Sequence, residues 1–115
     1  MHTLEQKQCG FLAERLRALS DETRLRILVL LGDGERCQCQ IKDALGAGQP
    51  LLSFHLKTLR NAGLIHARRK GRWVFYRVCY HVLEEMSAFL QPTPSAEQLS
   101  DCCIEAAPSH TPCCE

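Results

Sequence analysis

Eight cysteines in a chain of 115 residues carry most of its reactive chemistry. Cys37-Gln-Cys39 is a close pair, Cys102-Cys103 and Cys113-Cys114 are doublets, and Cys9 and Cys79 stand alone. Thiolates are the soft donors that zinc, cadmium, lead and trivalent arsenic prefer. A pair at the start of a helix has its thiol pKa lowered by the helix N-terminus, here with Arg36 alongside. On an ideal helix, positions i and i+2 lie about 200° apart around the axis. Cys37 and Cys39 therefore grip one ion only if the first turn distorts, which would make ligation a mechanical event. The doublets need no distortion: four thiols in the final fourteen residues sit among Pro, Ser, Thr and Ala, with no core to pack into. Cys79, between Val78 and Tyr80, reads as core. Residues 1–10 lack the charged and apolar regions of an export signal, so free cytoplasmic thiols are expected rather than a disulfide framework. The longest apolar run, Ile27 to Leu31, is too short for a transmembrane helix, and no membrane partner is expected.

A second chemistry lies in the distribution of charge. The net charge is only +1, yet residues 1–77 hold all 14 Lys and Arg and 7 of the 13 acids, for a net +7. Residues 78–115 hold no Lys or Arg and the other 6 acids. The front of the chain suits a polyanion and the back does not. The positives concentrate in His66-Ala-Arg-Arg-Lys-Gly-Arg-Trp-Val-Phe-Tyr-Arg77, where Arg68, Arg69, Lys70 and Arg72 crowd one turn. A phosphate backbone would neutralise them and release counterions.

The elements that must position these groups are mostly helices. Leu12, Leu16 and Leu19 give a helix over 4–19 one apolar face. Ser20 and Asp21 cap a second helix to about Leu31, with Leu25, Leu28, Val29 and Leu31 inward. A third helix runs from Arg36 or Cys37 to Leu45, and a fourth from Gln49-Pro50 to Ala62, with Pro favoured in the first turn. The fourth sets Leu52, Leu56 and Leu59 against a polar face of Ser53, Lys57 and Arg60, each set at i, i+4, i+7. Gln49 stands at the end of the helix that enters a major groove first, and Gln and Lys side chains can bond base edges or phosphates. His55 lies between the two faces and suits either packing or a DNA contact. Leu64 to Arg69 and Arg72 to Cys79 form a hairpin around Lys70-Gly71. A last helix over 80–91 carries Val82, Met86, Phe89 and Leu90 as a stripe. Residues 92–115 change composition and read as a flexible cysteine-bearing tail, leaving 1–91 as one domain.

Helix, glycine turn, helix and basic wing together read as a mainly α winged helix-turn-helix. Four segments then carry a resemblance: Ser20-Asp-Glu-Thr-Arg-Leu-Arg-Ile-Leu, Glu35-Arg-Cys-Gln-Cys, Gln49-Pro-Leu-Leu-Ser-Phe-His-Leu and Gly71-Arg-Trp-Val-Phe-Tyr-Arg. In this order, over about residues 4–90, they resemble the ArsR/SmtB family of metal- and metalloid-responsive repressors. The resemblance implies a homodimer through the first and last helices, bound to double-stranded promoter DNA until an effector releases it. It implies a recognition helix over 49–62 with Gln49, Ser53, Phe54 and Lys57 toward DNA, and a wing over 68–72. Candidate DNA contacts are thus Gln49, Ser53, Phe54, His55, Lys57, Arg60, Arg68, Arg69, Lys70 and Arg72.

Glu35-x-Cys37-x-Cys39 also matches the family's metalloid motif, in which a third cysteine commonly follows where Lys42 stands here. Trivalent arsenic takes three thiolates, so the pair needs one more. Candidate ligands are Cys37 and Cys39 or Cys102 and Cys103, with Cys9, Cys113 and Cys114 as third-ligand candidates. His81, Glu84 and Glu85 lack the spaced partner histidine of the family's zinc sites, which favours trivalent arsenic, antimony, cadmium or lead as effector. The alternatives are a cadmium- or lead-responsive repressor, a thiol-oxidation switch of the same fold, or a thiol-rich metal-storage or delivery protein. No acid/base constellation surrounds the thiols, so an enzyme is not expected.

Overall fold

The computed structural model describes residues 2–91. Five helices and three strands follow in the order α1 (His2–Leu19), α2 (Glu22–Gly32), β1 (Arg36–Cys37), α3 (Gln38–Leu45), α4 (Gln49–Asn61), β2 (Ile65–Lys70), β3 (Trp73–Val78) and α5 (Tyr80–Leu90). This is the mainly α winged helix-turn-helix that the residue pattern leads one to expect. Among the described residues no helix is long and apolar enough to cross a membrane.

Local signals set the boundaries. Asp21 caps α2 by accepting the Arg24 N–H at 3.1 Å. Gly46 ends α3 at φ 64°, a left-handed conformation that a side chain would disfavour. Pro50 sits in the first turn of α4, where its missing N–H removes no helical bond. The strands form one antiparallel sheet in the order β1-β3-β2. Lys70 pairs with Trp73, so the hairpin closes on Gly71-Arg72, one residue later than the sequence pattern suggests, with Gly71 at φ 64°.

The core lies where α4 meets α1, α2 and the sheet. Ile27, Leu31, Ile41, Leu52, Leu56, Leu59, Leu64 and Ile65 are fully buried, each contributing about 1.5–3 kcal/mol of transfer free energy. Cys79 is buried as expected. Three leucine and valine assignments are corrected. Leu16, Leu25 and Val29 are exposed. On α2 the buried pair is Ile27 and Leu31, spaced i, i+4; apolar residues surround that helix, so its inward face could not be read from periodicity.

The third helix also differs. Arg36 and Cys37 are not helical; they form β1, which pairs with Tyr76 and Phe75 of β3. Cys37 then caps α3 from an extended conformation (φ −77°, ψ 161°).

Candidate nucleic-acid interface and thiol pair

The candidate recognition face is built by α4. Burying Leu52, Leu56 and Leu59 leaves Gln49, Ser53, Lys57 and Arg60 exposed on the other side, as the spacing requires. Phe54 is also exposed, and Thr58 Oγ1 donates to its carbonyl at 2.9 Å. His55 is the exception among the candidates. It is only 6% exposed, because Leu52, His55, Leu56 and Leu59 share the i, i+3, i+4, i+7 face turned to the core. Arg24 Nη1 lies 3.2 Å from its Nδ1, and Asp21 Oδ2 lies 3.9 Å from the same atom. Arg24 Nε also donates to the Ala18 carbonyl at 2.6 Å. His55 is therefore a packing residue that ties α4 to the α1–α2 turn, and the expectation of a DNA contact there is corrected. The Arg24 N–H, and after it the charges of His55 and Arg24, holds the Asp21 carboxyl below the usual carboxylate range.

The hairpin supplies the cations. Arg69, Lys70 and Arg72 are exposed, and among the described residues no acid lies within ion-pair distance of them. Arg68 differs. Its Nε and Nη2 donate to the two Glu35 carboxylate oxygens at 3.1 and 2.7 Å. Its guanidinium carbon lies 5.3 Å from the Phe75 ring centroid. That two-pronged bond holds the Glu35 carboxyl below its usual range and raises Arg68. Arg68 therefore fastens the wing to the residue before β1, and the free positive charge sits at the tip. Glu35 stands far from Arg68 in sequence, and only the β1–β3 pairing brings the two together.

The thiol pair sits at the junction of β1 and α3. Cys37 is buried and Cys39 exposed, with Cα atoms 5.4 Å apart, and their sulfurs are bonded as a disulfide. This corrects the expectation of free thiols at these two positions. It also removes the steric difficulty of an i, i+2 pair, because Cys37 lies outside the helix and both sulfurs point to one place. Cys9 is exposed on α1 and unbonded, as is the buried Cys79, whose thiol burial pushes up. Among the described residues no third His, Cys, Asp or Glu joins the pair, so neither Cys9 nor His81, Glu84 and Glu85 complete a site within one chain. Cys102, Cys103, Cys113 and Cys114 lie outside the described residues.

The two chemistries meet. A cleft of about 280 Å³ is lined by Gln38, Cys39, Lys42, Gln49, Arg72, Trp73 and Val74. It joins the exposed thiol position to the first residue of α4 and the tip of the wing. Gln38, which separates the two cysteines, donates from Nε2 to Ser53 Oγ at 3.2 Å. In the sequence Glu35 and Gln38 appear only as members of the Glu35–Cys39 segment, with no side-chain role of their own. Each matters through a partner that the sheet and the helix turn bring within reach.

Comparison with known proteins agrees with this architecture. The family described as "Bacterial regulatory protein, arsR family" matches residues 21–67. The arsenic resistance transcriptional regulator ArsR1 of Pseudomonas putida is 41% identical over 83 residues, which are 71% of this chain and 65% of that protein's length. The arsenical resistance operon repressor of Staphylococcus aureus is 33% identical over 87 residues, covering 76% of this chain and 84% of the relative. A homodimeric winged helix-turn-helix DNA-binding domain from Mycobacterium bovis superposes with a TM-score of 0.66 at 32% identity, covering 76% of this chain and 81% of that one. These relatives are regulators rather than enzymes. The chain belongs to the ArsR family of bacterial regulatory proteins.

Proposed function

We infer that the chain is a transcriptional repressor that binds double-stranded promoter DNA as a homodimer and leaves it when trivalent arsenic binds its cysteine thiolates. The observation that carries the reading is the single cleft that holds Cys39 between Gln49 of α4 and Arg72 of the wing. Exposed Ser53, Phe54, Lys57 and Arg60 extend this surface along α4, and Arg69 and Lys70 extend it along the wing. The arsenic resistance names of the relatives support the effector. After reduction, Cys37 and Cys39 present two sulfurs to one point, which fits two of the three thiolates trivalent arsenic takes. Cys9 of a second copy, or one of Cys102, Cys103, Cys113 and Cys114, would supply the third. The same thiolates suit antimony, cadmium and lead. Bound arsenic would supply a covalent bridge between sulfurs.

Exposed Phe11 and Leu16 on α1 and Phe89 and Leu90 on α5 support dimerisation through the first and last helices. The Cys37–Cys39 disulfide supports a second reading in which oxidation of the pair, rather than ligation, releases DNA.

Anisotropy of a labelled duplex from the protein's own promoter separates these readings. The reduced protein is expected to bind with strong salt dependence and to be released by arsenite. Release by cadmium or lead but not arsenite reassigns the effector. Release by oxidant alone favours the redox reading, and absence of specific binding overturns the repressor reading.

A further inference from the structure

The Gln38–Ser53 hydrogen bond occupies an unusual place. Gln38 is the first residue of α3 and lies inside the ring that the Cys37–Cys39 bond closes. The residue before it is held twice. Cys37 pairs with Phe75 in the sheet, and the Cys37 N–H donates to Gln40 Oε1 at 2.9 Å. Elsewhere α3 packs mainly against α2, β1 and β3. Among the described residues, Gln38 Nε2 to Ser53 Oγ is the one side-chain hydrogen bond from α3 to α4. Ser53 is exposed on the face proposed to read DNA. Its hydroxyl carries one proton and two lone pairs, so a bond from Gln38 takes a lone pair and places an amide beside the position a base or phosphate must reach.

We propose that Gln38 is the positioning residue through which bridging of Cys37 and Cys39 reaches the DNA-reading face. With the sulfurs bridged, the backbone at Gln38 has little freedom and its amide stays on Ser53. With the sulfurs open, the first turn of α3 regains freedom, the amide leaves, and Ser53 is available to nucleic acid. The bridge is a disulfide here, and a thiophilic ion held by both sulfurs imposes the same constraint. The inference rests on the reading of this pair as an effector site, and it adds the residue that links ligation to DNA release.

The test uses the full chain with Cys9, Cys102, Cys103, Cys113 and Cys114 replaced by Ser, leaving the pair and buried Cys79, with and without Gln38→Ala; a phosphine reductant first opens the Cys37–Cys39 bond to two thiols and is then removed. The probe is phenylarsine oxide. Each thiol gives its proton to the arsenic-bound oxygen, which leaves as water, and two As–S bonds form with arsenic trivalent throughout. Trp73 is the only tryptophan and lines the same cleft, so its emission reports ligation independently of DNA. Both proteins are expected to show the Trp73 change at one equivalent and to bind a promoter duplex similarly before the probe. With Gln38 present, ligation is expected to weaken DNA binding about tenfold, within the ordinary range of coupling between sites. With Gln38→Ala the weakening is expected to fall to about twofold or less, since only the link has been removed. Equal weakening in both proteins overturns the role of Gln38 and leaves the effector site standing. No Trp73 change, or no weakening with Gln38 present, overturns the effector site and this inference with it.

Discussion

Glu35 and Arg68 show how one side-chain pair sets the charge that the wing offers. The bidentate bond neutralises Arg68 and leaves Arg69, Lys70 and Arg72 as the free cations at the tip. Arg68 holds the Glu35 carboxyl below its usual range, so Glu35 releases its proton more readily in the folded chain than in the unfolded one. Its contribution to stability is therefore complete above the unfolded carboxylate pKa and is lost as pH falls through the lower folded value. Glu35→Gln is expected to lower the urea midpoint slightly at neutral pH, because the pair faces water. It is also expected to remove part of the loss of stability between neutral and strongly acidic pH. Urea titrations followed by Trp73 emission across that range check both statements, and an unchanged acid profile would assign the acid sensitivity to Asp21 instead. His55 marks the limit of reading single residues. Its position between two faces of α4 is visible in the sequence, but its role is settled by Arg24 and Asp21, two residues on another helix and its cap.

At the scale of elements, the wing is the part whose contribution to binding can be isolated. Lys70→Ala combined with Arg72→Ala is expected to weaken binding to specific and non-specific duplexes alike. The slope of log affinity against log salt is expected to shrink by about 0.9 for each phosphate that the wing no longer neutralises. A salt series with both duplexes checks this, and unchanged slopes would remove the tip from the interface. The run of β-formers in Trp73–Val78 places the hairpin to within one residue, and where an element sets an apolar face against a polar one, as α4 does, the sequence is enough. Where it does not, the sequence misleads. The apolar residues of α2 surround its axis, and only packing selects Ile27 and Leu31 over Leu25 and Val29. Strand β1 has two residues and thus no period to detect, and it exists because β3 offers an open edge. The thiol pair is legible as chemistry, but the geometry that joins its sulfurs follows from that short strand.

At the scale of the whole molecule, α1 and α5 leave an apolar groove of about 540 Å³ that includes Phe11, Leu12, Met86 and Phe89, with Arg15 and Glu85 3.5 Å apart at its side. A proposed second copy would cover it. Phe89→Asp is expected to shift the protein to monomer in sedimentation velocity and to weaken promoter binding at least tenfold, since one protomer then holds one half-site alone. A folded variant that stays dimeric would move the interface elsewhere. The pairing of β1 with β3 also bears on how the chain is made. Residues 36 and 37 leave the ribosome well before residues 75 and 76, with which they pair. Until the wing emerges, Cys37 has no strand beside it and is open to the cell. The last strand of the wing is then the step that buries Cys37, and Cys39 alone of the pair stays exposed once the sheet is complete.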